Sequence, residues 1–280
     1  MKKICVIAGV CMALFGQAPA YGQAGALFSQ FQLDASLPLQ FSTNTLLTPT
    51  NPKSDFWSSP SLKLSAIGWL DPSLKYQTYF FSNPEPYWRV HAAEDASEIF
   101  GARIDKTLQN NFSTGAYYEH GFVFNGLYNS VAFQANDFAG FVAYTYVDKV
   151  AGLTVVPTFT TTYRLADDVS QDRVVFNLKA TIIQQLTDKW SLMLLPILKY
   201  YAYTDGTNAG KRNLYPSALV ELDYSLNNDV TLGGSIEYDR QWSNFAASNF
   251  TNVTFLVSVT FGHRYDLLPK EQTAAVRRIQ

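Results

Sequence analysis

Ionisable side chains in this sequence recur at alternate positions of segments whose other positions are apolar, the spacing that sends them to one face of a β-strand. On that face lie Asp34, Lys63, Arg103, Asp105, Glu119 and Arg164 in the first part of the chain, followed by Lys179, Lys199, Glu221, Asp223, Glu237, Asp239 and Arg264. Both signs are present, so two kinds of chemistry are open. One is a mutually satisfied salt-bridge network that fills the interior of a closed sheet. The other is a charged wall along which a polar solute moves, with selectivity set by the charges at a constriction. Glu221, Asp223, Glu237 and Asp239 fall on neighbouring segments, and opposing bases from Lys179 and Lys199 would set a transverse field across such a solute.

Covalent and metal chemistry have few candidates. The histidines are His91, His120 and His263, and no His/Asp/Glu spacing brings several ligands together for a metal. His91 sits with Trp88, Arg89, Glu94 and Asp95 in a stretch able to contact a ligand or simply to be solvated. Trp57 and Trp242 are expected in loops, where an aromatic ring can bind a sugar or fold inward over a pore. Both cysteines, Cys5 and Cys11, precede residue 20, so the chain beyond it has no thiol for a disulfide, a thiolate metal site or a nucleophile. No cofactor, no metal and no catalytic turnover are expected.

The elements that must position these residues begin after an export signal. Lys2 and Lys3 precede the apolar run Ile4 to Phe15 and the small-x-small pattern Ala18-Pro19-Ala20, so residues 1–20 read as a cleaved signal peptide. Twelve apolar residues fall short of the ~20 that span a bilayer as a helix. Without Lys2 and Lys3, 19 of the 21 basic residues face 23 acidic ones, a net charge of −4 that argues against nucleic acid as a partner. Aromatic residues make up 15% of the chain, with 17 Tyr and 20 Phe, while the mean hydropathy stays near zero. Many rings without long apolar runs suit a sheet whose aromatics ring two membrane interfaces, although a secreted β-sandwich would share this composition.

Periodicity separates the two, because a lipid-facing strand alternates apolar-out with polar-in over about 9–11 residues. Phe31, Leu33, Ala35, Leu37, Leu39 and Phe41 share one face of the first strand, opposite Gln32, Asp34, Ser36, Pro38, Gln40 and Ser42. Val253, Phe255, Val257, Val259 and Phe261 do the same in the last, with Leu256 as the exception. Ten further strands are expected at 61–70, 74–83, 97–108, 112–124, 138–147, 152–164, 173–186, 190–203, 214–226 and 230–241. Between them long loops (44–60, 83–96, 125–136, 166–172, 204–213, 243–252) alternate with tight turns, as in barrels with long extracellular loops and short periplasmic turns.

The expectation is therefore an all-β, single antiparallel up-and-down transmembrane β-barrel of about 12 strands over residues 21–265, with both termini in the periplasm. Residues 266–280 form a charged periplasmic tail with a helical tendency from Glu271 to Arg278. Pro157, Pro196 and Pro216 fall inside expected strands, where each demands a bulge or a shifted boundary. The run Leu192 to Leu198 is apolar on both faces.

The signal, the alternation and the closing segment Val257-x-Val259-x-Phe261-x-His263-x-Tyr265 resemble bacterial outer-membrane β-barrel proteins of the porin-like kind. The resemblance covers nearly all of the chain beyond residue 20 and implies outer-membrane lipid as surroundings and the β-barrel assembly machinery as insertion partner. In that family a final aromatic helps the machinery recognise the chain, a part that Phe261 or Tyr265 would take here, though this chain continues for fifteen residues more. The implied activity is a channel for small hydrophilic solutes, since twelve strands lie between side-chain-filled barrels of eight and the open channels of 16–18. The alternatives are a scaffold or export partner for a polysaccharide or protein, docking a periplasmic component through the tail, and an outer-membrane lipid hydrolase. A hydrolase would place a His beside a Ser on the lipid-facing rim. His120 shares the outer face with Ala116, Tyr118 and Phe122, and the position two beyond it is Phe rather than Ser, so it is assigned to an aromatic girdle.

Overall fold

The fold follows from one rule, that a sheet buried in lipid must pair every backbone edge and so must close. A computed structural model describes residues 28–266 and shows β1 (Gln30–Ser42), β2 (Asp55–Ser58), β3 (Ser61–Asp71), β4 (Leu74–Glu85), β5 (Asp95–Thr107), β6 (Phe112–Asn125) and β7 (Ser130–Tyr144). These are followed by β8 (Tyr146–Asp148), β9 (Leu153–Ala166), β10 (Arg173–Gln185), β11 (Trp190–Tyr203), β12 (Arg212–Ser225), β13 (Val230–Ser243) and β14 (Phe250–Asp266). All pairings are antiparallel between chain neighbours, and β14 returns to β1 from Gln30↔Asp266 to Ser42↔Thr254, which closes the sheet. The short strands are continuations: β2 meets β1 in the register of β3 (Leu39↔Ser58, Ser36↔Ser61), and β8 meets β9 in the register of β7. The barrel therefore has twelve strands.

Side chains divide as the alternation requires. Leu192, Leu194 and Leu198 of β11 are exposed on the outer face, while Met193, Leu195 and Ile197 turn to the interior, Leu195 opposite Leu219 of β12. The run that is apolar on both faces thus coats lipid on one side and part of the inner wall on the other. Leu256 likewise turns inward on β14, as its exceptional place in the pattern demands.

Aromatic pairs gather on the outer wall toward each end. Phe31–Tyr265, Phe112–Tyr144 and Trp190–Tyr224, with ring centroids 6.3, 5.0 and 4.8 Å apart, lie toward the end that carries the short turns. Phe41–Phe56, Phe56–Trp88 and Phe80–Phe100, at 4.9, 5.3 and 5.0 Å, lie toward the other. Along β11 ten residues separate Trp190 from Tyr200; at about 3.4 Å per residue and a tilt near 45°, that is about 24 Å of height, matching the ~25 Å apolar band of outer-membrane barrels.

Several boundaries differ from the sequence expectation. The loop expected over 125–136 is a four-residue turn, 126–129, with Gly126 at φ 60° and Tyr128 at φ 65°, and β7 starts at Ser130. A register shift beside Val123/Phe124 breaks the alternation there, and Gln134 and Asn136 made the segment look like loop. The loops expected over 44–60, 83–96 and 243–252 shrink to 43–54, 86–94 and 244–249. The contrast between long loops and short turns is thus milder than expected, although 43–54 against 72–73 preserves it.

The prolines do not create bulges. Lys179↔Ile197 and Ile182↔Leu194 keep one register across Pro196, and Leu214↔Trp242 and Ser217↔Asp239 keep one across Pro216. Pro157 faces the break between β7 and β8. Each missing N–H opens a short gap toward a single neighbour, and the intact ladder on the other side holds the strand in line. Asp266, expected to begin the tail, still belongs to β14 and accepts from Gln30 Nε2 at 2.9 Å. The export signal and the rest of the tail lie outside the described residues.

Candidate functional site

Interior side chains surround a cavity of ≈ 1560 Å³ lined from β14 through β1 and around to β11. Asp34, Lys63, Arg103, Asp105, Glu119, Arg164, Lys179, Lys199 and Arg264 all line it. Glu221, Asp223, Glu237 and Asp239 share the inward register on β12 and β13 but stand beyond that lining. Nine of the thirteen residues expected on the polar face thus line the cavity, and the other four have the inward register of their strands.

Two glycines keep bulky rings against this wall. Tyr79 lies across from Gly101, where an added Cβ would stand 2.2 Å from Tyr79 Cζ. Phe141 lies across from Gly115, where a Cβ would stand 2.6 Å from the Phe141 ring and 2.2 Å from the Ile104 carbonyl oxygen. A cross-strand aromatic folded over a glycine saves space that the ring would otherwise take from the lumen. The Tyr79 hydroxyl donates to Glu119, and Lys63 Nζ sits 4.4 Å from the Tyr79 ring centroid.

From β3 to β9 the charges are tied together. Arg103 donates to Asp105 at 2.7 Å and lies 4.4 Å from the Phe141 ring centroid, and Lys75 reaches Asp105 at 3.5 Å. Arg164 holds Asp137 with two bonds of 2.8 and 2.6 Å, a bidentate geometry that only a guanidinium supplies. Part of this arc is the salt-bridge network expected from the mixture of signs, whereas Lys63 and Glu119 meet only through Tyr79.

From β10 to β13 the arrangement is different. The ion pairs among the described residues are Lys75–Asp105, Arg103–Asp105, Lys106–Asp71 and Arg164–Asp137, with His91–Glu94 and His263–Asp229 as histidine–carboxylate contacts. Arg173, Lys179 and Lys199 therefore have no carboxylate within 4.0 Å, and Glu221, Asp223, Glu237 and Asp239 have no cation within it. Arg173 donates to the Tyr203 hydroxyl at 3.1 Å, Lys199 lies 5.5 Å from the Tyr215 ring centroid, Tyr215 donates to Asp239 at 2.5 Å, and Ser217 to Glu237 at 2.8 Å. Lys179 and Lys199 were expected to oppose the carboxylates across the lumen. They stand beside them instead, because β10, β11, β12 and β13 are consecutive staves of one wall. Opposite β12 and β13 in a twelve-stranded ring come β5 and β6, which carry Arg103 and Glu119.

Three inner-wall charges escaped the sequence reading: Lys75, Arg173 and Asp137. Lys75 and Arg173 have the inward parity of their own expected strands, so that signal was available; Asp137 fell just outside a strand placed too late. Glu85 and Asp95, placed in a loop by sequence, face each other across β4 and β5 near the rim.

The rim itself is braced. Trp57, expected in a loop, lies on β2 and stacks on Tyr87 at 5.1 Å with the planes 10° apart. Asp55 accepts from the backbone N–H groups of Arg89, Val90 and Phe56 at 2.8, 2.7 and 2.8 Å. Burial alone would raise the Asp55 pKa, but the N–H groups of Val90, Arg89 and Phe56 outweigh it and hold the carboxyl below its usual range. His91 pairs with Glu94 at 2.7 Å in the loop 86–94, and Trp242 is exposed at the end of β13 beside Arg240. His120 faces outward, where its Nδ1 meets Asn136 Oδ1 at 3.0 Å, and Tyr118 donates to the same oxygen at 2.7 Å. No group of three or more potential metal ligands occurs among the described residues.

No family model and no curated protein matches the sequence. Solved structures do match by shape. An outer membrane channel from Pseudomonas putida F1 superposes with a TM-score of 0.57 at 12% identity, over 88% of this chain and 100% of that one. The chain has the outer-membrane β-barrel fold. The porin NanC aligns at a TM-score of 0.49 with 11% identity over 81% of this chain and 98% of that one, and the β domain of the Bordetella autotransporter BrkA at 0.47 with 8% identity over 82% and 98%. At these identities the likeness is one of architecture. This barrel belongs in the bacterial outer membrane, where a closed antiparallel sheet with an apolar outer band leaves no backbone edge in lipid.

Proposed function

We propose that the barrel is a channel for small hydrophilic solutes. The observation that carries this reading is the incomplete pairing of the inner wall: among the described residues, seven charged side chains from β10 to β13, and Lys63 and Glu119 on the other arc, have no counter-ion within 4.0 Å. A dry, filled interior would make such charges prohibitively costly, because an unpaired ion loses several kcal/mol or more of hydration on burial. Water along β10–β13 solvates them, and a water-filled lumen through a closed barrel is a conduit. The rings of Tyr79 and Phe141, laid over Gly101 and Gly115, take less of the lumen than they would standing away from the wall, which supports this reading.

Reconstitution of the purified barrel into planar bilayers tests the proposal. Discrete conductance steps are expected, with an ion preference that changes when Glu221, Asp223 or Glu237 is converted to its amide. An inserted but electrically silent barrel would refute it.

A further inference from the structure

The unpaired charges of the inner wall are sorted by sign, and the sorting has a direction. Arg173, Lys199 and Lys179 belong to β10 and β11, with Lys199 opposite Asn177, so the three cations descend from the loop end toward the turn end as one column. Asp239, Glu237, Glu221 and Asp223 belong to β12 and β13, paired with Ser217, Leu219, Ser235 and Gly233, and descend beside the cations as a second column. Gly233 makes room at the foot of this column: Asp223 Oδ1 and Glu221 Oε1 converge 3.0 and 3.1 Å from where its Cβ would stand.

Tyr215 joins the two columns. Lys199 lies over its ring at 5.5 Å while its hydroxyl donates to Asp239 at 2.5 Å, so one ring's width separates the opposite charges. With the ring between them, Lys199 and Asp239 stand more than 4.0 Å apart and do not form an ion pair, so each charge is left facing the lumen. Arg173 Nε and Asn177 Oδ1 are moreover buried atoms without a hydrogen-bond partner, one a donor and the other an acceptor, on the cationic side of the track.

We propose that this double column is a track for small zwitterionic solutes, molecules of the amino-acid class that carry an ammonium and a carboxylate a few ångströms apart. The inference rests on the channel reading and names its substrate class. A zwitterion keeps its carboxylate on the Arg173–Lys199–Lys179 side and its ammonium on the carboxylate side throughout the descent. A simple anion or cation gains from one column and is repelled by the other, and a neutral polyol engages neither.

Swelling of proteoliposomes in solutes of similar size provides the test: alanine as zwitterion, lactate as anion, alaninamide as cation and erythritol as neutral control, each corrected for protein-free vesicles. Alanine is expected to enter at least about threefold faster than erythritol, lactate and alaninamide, as a field-lined channel concentrates the matching charge pattern. Relative to erythritol in the same variant, E237Q/D239N should abolish the alanine advantage and favour lactate, and R173Q/K199Q should abolish it and favour alaninamide. The two opposite variants guard against a folding defect in either. Entry of erythritol with alanine no faster overturns the zwitterion track and leaves the channel standing. Failure of every solute to enter overturns both.

Discussion

Leu194 and Leu195 are adjacent in sequence but lie on opposite faces of the barrel, so the same substitution at each should differ sharply in cost. Leu194 is outward and exposed to the membrane, paired with Val220 on one side and Ile182 on the other. It lies four residues from Trp190 and six from Tyr200, about 10 Å and 14 Å of height at the rise and tilt used above, and so close to the middle of the apolar band. Arginine at the lipid-facing midplane costs about 2–4 kcal/mol. Leu194→Arg should lose that much stability, and Leu195→Arg, whose guanidinium enters a wet lumen, should lose less than about 1 kcal/mol. Guanidinium-induced equilibrium unfolding in phosphatidylcholine vesicles measures both. Equal losses, or a greater loss at Leu195, would refute the inside–outside assignment of β11 and with it the inward placement of every charge derived from the shared register.

Two further outcomes follow from local geometry. Gly101→Val would drive the Tyr79 ring off the wall, breaking its contacts with Lys63 and Glu119; single-channel conductance should fall to about half or less, whereas Gly121→Ala, whose Cβ would come no closer than 3.8 Å to a neighbour, should leave it unchanged. Asp55→Asn should raise hydrogen exchange at the Arg89 and Val90 amides about tenfold at neutral pH, reflecting the loss of charge-assisted bonds. Because the Asp55 pKa is lowered in the folded rim, its stabilisation is present above the ordinary carboxylate value of about 3.9 and is lost as pH falls through the lower folded value. The wild-type rim should accordingly loosen only in acid, and loosening at pH 6 would contradict this account.

Sequence alone determined what depends on alternation. The period of two put the thirteen charges on one face of their expected strands, and lipid on the other side leaves such a face nowhere to go but inward, so the barrel and its strand number were legible from alternating segments such as those of Asp34 and Arg103. Strand ends were less legible, because polar residues such as Gln134 and Asn136 look alike in a loop and in a strand that rises past the membrane. Closure decided the rest. Which charges neutralise each other depends on register between strands and on position around the ring, so Arg164 found Asp137 while Lys199 was left beside Asp239 with only Tyr215 between them. Alternation fixes the face of a residue, but the angle at which it meets its neighbours exists only once the sheet has curved and closed.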